Sequence, residues 1–487
     1  MSTEAIVFTV VGAYFVIVLA IGAAAYRKTS DTAEDYFLGG RVARSVVLFM
    51  SLFGTNITPF LIMGISGLAY HAGIGVFGYN AVLPALLIPL VYYAIGYPAW
   101  IASRATGAVT PAELFARRFN SPNFGRLMFA VYFIYTLPYM ATGVVGVGLA
   151  VDVFTHQLVS FDVAAAGIII ITIAYTSLGG MRATMWTNVF QGLVFGCFLC
   201  IAFLVIATDL GGPVDIMQQL AQRFPELLST GNSPPFHIQG WISWGLAMGL
   251  TVIAFPHLLV RVFAAKDVSA LKNSVRYYPL IMIALMLVTT LFGIWGRLEF
   301  PDFVGRDSDL IFPMLIQSHF GPVLQGLALA SILAAVMSTL DAQMLTLSSM
   351  LTRDVWHGLS QHRQVVLGRV FLIVLAGATY LIVLQRPASI FTIAQLAFSG
   401  YTTLVPVLFM GLRWRRFNGP AGIASILAGN IVLIAAYNDM LPLLGFLPVF
   451  WGFVAATVTG IIVPFITAPT SQEHVDAVMG PIEEAAG

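Results

Sequence analysis

Charge is what this sequence has least of. Only 9% of its 487 residues are charged, against roughly 25% in soluble globular domains. Cys197 and Cys200 are its two cysteines, which excludes a disulfide framework, and their place inside an apolar run gives no metal-site pattern. A formal net charge of +1 offers no basic surface for nucleic acid. A soluble domain, a disulfide-rich secreted domain and a nucleic-acid-binding module are therefore all excluded.

Long hydrophobic runs take the place of the missing charge. Hydrophobic residues make up 59% of the chain, and thirteen runs are long enough to approach or exceed the roughly 20 residues that a helix needs to cross a bilayer. They are residues 5–26, 44–70, 75–99, 126–156, 160–178, 183–208, 239–262, 272–296, 323–352, 366–385, 388–411, 419–437 and 446–468. This pattern predicts an all-α polytopic membrane protein with about 13 transmembrane helices.

The basic residues are divided unevenly between alternate loops. All but four of the 23 Lys and Arg residues fall in loops on one side of the predicted membrane, which is the side that normally faces the cytoplasm. We therefore expect a multi-pass protein of the cell inner (plasma) membrane, with its N-terminus outside and its C-terminus cytoplasmic. The first run lacks the basic start and cleavage site of a signal peptide. Residues 470–487 are predicted to be a disordered tail.

One predicted helix carries its small and hydroxylated side chains on a single face. At about 100° per residue, seven positions share one arc: Ser331, Ala335, Ser338, Thr339, Ala342, Thr346 and Ser349. A hydroxyl facing lipid would have few partners beyond its own helix, so this face predicts an interior surface. Hydrogen bonds back to the helix's own carbonyls, or to a neighbouring helix, are the structural alternative.

Two other predicted spans contain helix breakers at mid-depth. Residues 54–59 (GTNITP) interrupt the second span, and Gly245, Gly249 and Pro256 interrupt the seventh. Each of these spans opens a five-span block, and the odd number of spans inverts one block relative to the other. Interrupted helices at matching positions of two inverted halves predict a transport site at the membrane midplane. A pair of kinked packing helices is the alternative.

The two five-span blocks occupy residues 44–208 and 239–411. The other segments flank them: an extra first transmembrane helix and cytoplasmic linker (1–43), an extracellular loop (209–238), two additional transmembrane helices (412–468) and a cytoplasmic tail (469–487). No segment outside the membrane is long enough for a large soluble domain.

A broken helix frees backbone carbonyls, which can hold a small cation. Carbonyls at the first break and the hydroxyls of Ser338 and Thr339 would form a weak, uncharged site suited to sodium. Asp341 is the one acidic side chain firmly inside a predicted span, where it would tune the field at that site or make a structural hydrogen bond. His257 and Arg261 would form an inner gate, or else a positively charged helix end near the headgroups.

Six motifs follow one another between about residue 30 and residue 425. They are Asp35-Tyr-Phe-Leu-Gly-Gly-Arg41; Thr110-Pro-Ala-Glu113 with Arg117-Arg118-Phe119; Gly179-Gly-Met-Arg-Ala183 with Trp186-Thr-Asn-Val-Phe-Gln191; Pro256-His257 with Arg261; Ala334-Ala-Val-Met-Ser-Thr339; and Pro406 through Trp414-Arg-Arg-Phe-Asn-Gly419. In this order and on these sides of the membrane, they resemble the sodium/solute symporter family.

The resemblance implies the inverted-repeat fold of the bacterial leucine transporter, a 5+5 core whose first and sixth helices are broken. It also implies alternating access and import of a solute driven by sodium. The bound ion would be Na+, and the positions that match the family's sodium ligands are Gly54, Ile57, Ala335, Ser338 and Thr339.

Three positions depart from patterns within the family. Asn56 stands where proline-transporting members have an aspartate, and Asn188 stands where many members have an acidic residue. The second change argues against a second sodium site. Leu61 replaces the glutamine of sugar-transporting members, which argues against a hexose because sugar recognition needs many amides and carboxyls.

Candidate solute-binding residues lie beside the breaks and on the spans expected to face them. They are Asn56, Phe60, Tyr135, Tyr139, Trp241, Trp244, Met248, Gln395 and Phe398. Aromatic residues at such positions can equally be packing or interface residues. We expect a monocarboxylate or related organic acid as the solute, with an amino acid such as proline as the alternative.

Other classes of function lack their sequence features. The spans contain no charged ring or carbonyl-filter motif for a channel and no catalytic constellation for an enzyme. The expected partners are a small-molecule substrate and the lipid bilayer, without nucleic acid or an obligatory protein partner. A proton-coupled carrier of the same fold, in which Asp341 titrates, stays open as an alternative.

Overall fold

A computed structural model describes residues 2–27, 32–230, 236–356, 358–385 and 388–485. Each of the thirteen predicted runs coincides with an apolar helix or with a broken helix. Among these described residues, ten helices are long and apolar enough to cross a membrane, or twelve when two bent helix pairs each count as one span. The chain is an all-α multi-pass membrane protein, as predicted. The run at 160–178 forms the shorter helix Phe161–Ser177, so the total of thirteen spans stays a prediction.

Ten core helices form two groups of five, and each group begins with a broken helix. In chain order, core helices 1 to 10 are Ser45–Asn56 with Phe60–Ala72; Gly75–Thr106; Pro122–Phe154; Phe161–Ser177; Gly180–Asp209; Ile238–Ala254 with Pro256–Phe263; Val268–Glu299; Pro322–Val355; Gln361–Leu384; and Ile390–Arg413. Thr3–Tyr26 precedes them, and Gly419–Tyr437 and Pro448–Ile466 follow.

Core helix 8 occupies the centre of the bundle. Every residue from Ala328 to Met350 is buried, and the helix packs against core helices 3 and 5 and against Thr3–Tyr26. A helix that is largely apolar on all sides is one that a fold surrounds with other helices. The hydroxyl face therefore lies inside the protein, as its pattern predicts.

Most of the predicted tail is helical, which corrects the prediction that it is disordered. Residues Gln472–Glu484 form a helix, here called the tail helix, that packs against core helix 2. Its buried side chains occupy positions i, i+3, i+4 and i+7, which share one face of a helix: Val475, Val478, Met479 and Ile482. Arg415 pairs with Glu483 at 2.8 Å and also with Asp476.

The side of the bundle that bears most of the positive charge, called the basic side, carries Arg41, Arg104, Arg117, Arg353 and Arg413. There, the segment before core helix 1 is joined to the end of core helix 6 by backbone hydrogen bonds. Ala43 N–H donates to Ala264 O (3.2 Å), and Lys266 N–H donates to Ala43 O (2.9 Å). The inner halves of the two broken helices are thus tied together at their ends.

A carboxylate reinforces this closure by joining the short helix Pro111–Arg118, which follows core helix 2, to core helix 8. Glu113 accepts two hydrogen bonds from Arg353, both of 2.9 Å, and one from the Val109 amide (3.0 Å). Burial tends to raise the pKa of Glu113, but these donors outweigh it and hold the pKa below its usual value. Glu113 is therefore held as an anion on the basic side.

Candidate ion and solute sites at the helix breaks

The first break lies between the two halves of core helix 1, which meet at an angle of 56°. Ile57 is extended (φ −85°, ψ 115°), and a π-helical turn over Phe60–Gly64 follows Pro59. Proline has no N–H, so the Thr55 carbonyl, four residues before it, loses its helical partner. The sequence therefore places unpaired carbonyl oxygens at mid-helix.

Those carbonyls meet the hydroxyl face of core helix 8. Ser338 Oγ donates to Gly54 O (2.7 Å) and Ala335 O (2.9 Å). Thr339 Oγ1 lies 3.2 Å from Ile57 O and 3.1 Å from Ala335 O. The structure brings these five predicted sodium ligands together in one buried cluster.

The cluster also includes the carbonyl of Thr55, 2.9 Å from Thr339 Oγ1. The sequence prediction missed this oxygen, although Pro59, four residues later, was the signal for it. Carbonyls and hydroxyls are hard, neutral oxygen donors, and this donor set suits a sodium ion held weakly enough to be released.

The second break interrupts core helix 6 at Phe255 (ψ 120°), with an angle of 44° between its halves. Pro256 supplies no amide, so the carbonyl of Val252 loses its helical partner. Val252 lines two small adjoining cavities of about 20 and 30 Å³ next to the first break, here taken together as the cavity. Their volumes are close to that of a single water molecule, so the protein is closed around the site.

Four aromatic rings that line the cavity pack against one another. Phe60 lies edge-on to Phe398 (ring centroids 5.1 Å apart), and Phe255 stacks on Tyr139 (5.3 Å). Phe398 also contacts Phe255 (5.2 Å) and Tyr139 (5.3 Å). Core helices 1, 3, 6 and 10 each contribute a ring, so opening the cavity requires these helices to separate.

The structure brings some of the predicted solute residues to the cavity. Five of the nine line it: Asn56, Phe60, Tyr139, Met248 and Phe398. Trp244 lies directly behind them, stacked on Phe398 (5.9 Å) and donating to Asn80 Oδ1 (2.8 Å).

The other three predicted solute residues do not line the cavity. Tyr135 hydrogen-bonds to Asn430 (2.7 Å), and Trp241 packs edge-on against Tyr79 (6.0 Å). Gln395 is half-buried on core helix 10.

Several lining residues were missed by the sequence prediction. Thr251 follows Met248 on core helix 6, and Met282 and Met286 project from core helix 7. Tyr278, one turn before Met282, accepts a hydrogen bond from the Asn56 amide. The i, i+4 pair of methionines was the available signal, since methionine is common at adaptable binding surfaces.

Comparison with known sequences identifies the chain's relatives. A sequence model described as "Sodium:solute symporter family" matches residues 36–429. The chain belongs to the sodium:solute symporter family. The symporter is therefore a membrane transporter and not an enzyme.

Its relatives include transporters of two named solutes. The symporter is 27% identical to the osmoregulated proline transporter OpuE of Bacillus subtilis, covering 96% of each chain. It is 29% identical to the sodium/proline symporter of Haemophilus influenzae (90% of this chain, 88% of the relative). It is 27% identical to the sodium/pantothenate symporter of Escherichia coli (90% and 92%).

Solved structures of transporters share the fold. A Na+-coupled sialic acid symporter matches with a TM-score of 0.81 and 20% identity, covering 96% of this chain and 99% of that one. A nucleobase-cation-symport-1 family transporter matches with a TM-score of 0.58 and 13% identity (90% and 96%). At these identities the likeness shows the fold alone.

The symporter buries a charged pair next to the oxygen cluster. Arg261 and Asp341 are fully buried, with Nη2 and Oδ1 4.0 Å apart. Arg261 Nε donates to Ser51 Oγ (2.7 Å), and Tyr175 OH donates to Asp341 Oδ2 (3.0 Å). Arg261 is thus enclosed by protein and not exposed at a helix end, because partners on core helices 1 and 8 hold it.

Asn188 also belongs to this network. With its amide oriented so that donors face acceptors, its oxygen accepts from Thr55 Oγ1 (2.9 Å) and Arg261 Nη2 (3.0 Å). Its nitrogen then donates to Thr184 O (2.8 Å) and Gln191 Oε1 (3.2 Å). The Asn188 oxygen thus contacts the guanidinium of Arg261 directly. It also contacts Thr55, whose carbonyl belongs to the cluster of neutral oxygens.

Other buried polar groups near the breaks make no hydrogen bond to any part of the symporter that the structure describes. They are both ring nitrogens of His257, both amide atoms of Gln343, and Thr346 Oγ1. Gln343 and Thr346 follow Thr339 on core helix 8 at positions four and seven residues later, hence on the same face. An unpaired buried polar group costs about 1–3 kcal/mol, so this closed arrangement carries a substantial penalty.

Proposed function

We propose that this symporter imports a small organic solute together with Na+ by alternating access. It would lie in the plasma membrane with its basic side facing the cytoplasm. One observation supports this most strongly. The four residues 54–57 contribute carbonyls to the oxygen cluster and the Asn56 side chain to the cavity. An ion and a solute bound there would share one unwound segment, which is the physical basis for coupling.

The shared segment gives an order of events. Sodium binds first, between Gly54 and Ile57 on one side and Ala335, Ser338 and Thr339 on the other, and stabilises the outward-facing state. Fixing residues 54–57 also fixes Asn56, so less order remains to be imposed when the solute binds. Because coupling between two binding sites is reciprocal, the solute must tighten sodium binding by the same factor.

The cavity supports an organic acid or related solute with a large apolar surface. None of the described residues that line it is charged, and methionines and aromatic rings dominate the wall. Asn56 offers an amide instead of a carboxylate, so the cavity has no anionic partner for an ammonium group. A monocarboxylate is our first candidate, with its charge facing a helix N-terminus at the breaks. A proline-like amino acid is the second, because named relatives transport proline.

Release of sodium and solute requires the basic side to open. Arg261 on core helix 6 contacts Ser51 on core helix 1 and Asp341 on core helix 8, so it closes the inner path in this conformation. His257, Gln343 and Thr346 would gain water when these helices separate, which offsets the cost of their unpaired atoms. We assign Arg261, Asp341 and His257 to the inner gate, and the Gln343 face to the route of sodium exit.

Proton coupling is the competing mechanism, and a buried intramembrane carboxylate, Asp341, is the observation that favours it. Against it, the Arg261 guanidinium lies 4.0 Å from Asp341 and supplies a fixed opposite charge. While the inner gate is closed, that charge disfavours proton uptake by Asp341.

Uptake by reconstituted vesicles decides between these possibilities. Purified protein in liposomes is offered labelled monocarboxylates, amino acids and sugars, with an inward sodium gradient, an inward proton gradient or neither. The proposal expects accumulation of a monocarboxylate with the sodium gradient alone. Accumulation of proline would select the second solute, and accumulation driven only by protons would refute sodium coupling.

A further inference from the structure

A large groove opens on the outer surface of the bundle, away from the sites described above. Its volume is about 690 Å³, far more than the two closed cavities. It runs between core helices 2 and 7 and ends at Arg413 of core helix 10 and Ile482 of the tail helix. Tyr93 and Leu280 on its rim are 70% and 62% exposed. In a membrane, such exposed apolar side chains face lipid.

The groove is long, and one face of core helix 7 forms its side. The lining residues of that helix run from Val268 to Leu280 at spacings of three and four, which is one helical face. This run is about 18 Å long at 1.5 Å per residue, comparable with the roughly 15 Å depth of one hydrocarbon leaflet. The groove thus spans about the depth of one leaflet.

Positive charge is concentrated at this groove. Lys272, Arg276 and Arg413 line it, and none of its described lining residues is acidic. In the described part of the chain, none of these three cations has a carboxylate within ion-pair distance. The nearby tail-helix residue Glu483 is already paired with Arg415 at 2.8 Å. Three unpaired cations beside an apolar groove on the basic side match an anionic headgroup attached to acyl chains.

The backbone of core helix 2 holds one of these cations in place. Its π-helical turn over Tyr92–Gly96 shifts the normal hydrogen-bond pattern. Arg413 uses this irregularity, donating from Nε to Ala94 O (3.0 Å) and from Nη2 to Tyr93 O (3.1 Å). Nη1 makes no hydrogen bond within the described chain and stays available to a phosphate.

We infer that this groove binds one anionic phospholipid from the leaflet on the basic side. The phosphate lies among Lys272, Arg276 and Arg413, and an acyl chain lies along core helix 7 toward Leu280. A second copy of this chain is a poor occupant, because a two-fold interface through the groove would bring like charges together. This inference does not depend on which solute or ion the protein transports.

The groove also adjoins the solute cavity. Pro279 lines both spaces, and its neighbour Tyr278 hydrogen-bonds to Asn56. A bound lipid therefore contacts the same turn of core helix 7 that supports the cavity wall. We expect occupancy of the groove by this lipid to change both the thermal stability and the transport rate of the protein.

The test compares two lipids with identical acyl chains. Purified protein is placed in an equimolar mixture of phosphatidylglycerol and phosphatidylcholine, and the lipids retained on the protein are counted by native mass spectrometry. The wild-type protein should retain one phosphatidylglycerol in preference to phosphatidylcholine. In Lys272→Gln/Arg276→Gln, that preference should fall about ten-fold or more, since each basic residue contributes appreciably to binding an anionic lipid.

Two further variants make the result specific to the groove. Arg126→Gln/Arg363→Gln removes two exposed charges on the same side, at the starts of core helices 3 and 9, and should keep the preference. Val275→Trp fills the groove and leaves all three cations, and it should abolish retention in protein whose melting temperature shows that it is folded. Equal retention of the two lipids by the wild type would overturn the inference, as would full retention in the charge variant. Equal loss in the Arg126/Arg363 variant would show a diffuse surface effect and would also overturn it.

Discussion

Thr339 Oγ1 donates a 2.9 Å hydrogen bond to the carbonyl oxygen of Thr55, the oxygen that Pro59 leaves without a helical partner. In a regular helix that carbonyl would accept from the amide of residue 59, which proline lacks. In our proposal, a sodium ion bound here would exchange hydroxyl-to-carbonyl hydrogen bonds for ion–oxygen contacts. That exchange would keep the affinity modest, as a carrier that must release its ion requires.

The residue at position 56 decides whether the cavity wall carries a charge. Asn56→Asp adds an anion to a wall that otherwise has no charged residue. Uptake of a monocarboxylate should fall at least ten-fold, because placing like charges together costs several kcal/mol. Binding of a zwitterionic amino acid should improve, since its ammonium group gains a partner.

Competition between labelled organic acids and proline in proteoliposomes checks this prediction. Met248→Leu, which keeps the cavity apolar, serves as the control and should leave the ranking of solutes unchanged. An unaltered preference in Asn56→Asp would mean that residue 56 does not face the solute.

The fold could be read from the sequence because its signals are local. A run of apolar residues predicts a membrane helix wherever it lies in the chain. Residues 54–59 predict a break, and their position within the second run predicts its depth in the membrane. The hydroxyl pair of Ser338 and Thr339 likewise pointed to the cluster, since a single face of one helix had to be interior. These features need no knowledge of what packs beside them.

The buried pair of Arg261 and Asp341 should be strongly coupled in stability. Either Arg261→Met or Asp341→Leu alone leaves a buried charge without its partner, at a cost of about 3–5 kcal/mol. The double variant Arg261→Met/Asp341→Leu should recover much of that loss. Melting temperatures of the four proteins in detergent measure the coupling. Additive losses in the double variant would show that the two groups do not interact.

Gln343 should limit the stability of the closed state. Gln343→Leu removes an amide whose two polar atoms have no partner in the described structure, and we expect it to stabilise the protein by about 1 kcal/mol. Because the closed state is then favoured over the inward-facing state, the maximal uptake rate should fall. Gln191→Leu, which removes a hydrogen bond of 3.1 Å to Tyr14, should instead destabilise. A destabilised Gln343→Leu would contradict this account.

Asp309 should make stability depend on pH at the junction with core helix 10. It lies in the turn Gly305–Leu310, and its Oδ2 accepts from the Ile390 amide (2.9 Å). Burial raises the pKa of Asp309 from 3.8 to about 7, the Ile390 amide opposes the rise and Asp307 adds to it. The folded state thus holds the proton more tightly than the unfolded state. Its contribution to stability is full below the unfolded pKa and is lost as the pH rises through about 7.

Asp309→Asn keeps an acceptor for the Ile390 amide and removes the titration. The melting temperature of the wild type should fall between about pH 5 and about pH 8 by more than that of the variant. Equal slopes for the two proteins would show that Asp309 titrates near its ordinary value.

The site was harder to predict than the fold because its members meet only through packing between helices. Arg261 lies near a helix end in the sequence, yet Ser51, Asn188 and Asp341, from three other helices, enclose it. Met282 and Met286 reach the cavity only because core helix 7 packs beside the first break. No pattern within a single segment carries such information.

Direct binding of sodium to the purified protein tests the central claim, that an ion is held where core helix 1 unwinds against core helix 8. The sodium dissociation constant is measured without solute for the wild type, for Thr339→Ala, and for Thr172→Ala. Thr172 is an equally buried threonine that bonds only to its own helix at Ile168 O (2.8 Å). The account predicts that Thr339→Ala weakens sodium binding about ten-fold or more and that Thr172→Ala leaves it unchanged. Wild-type affinity in Thr339→Ala would contradict it.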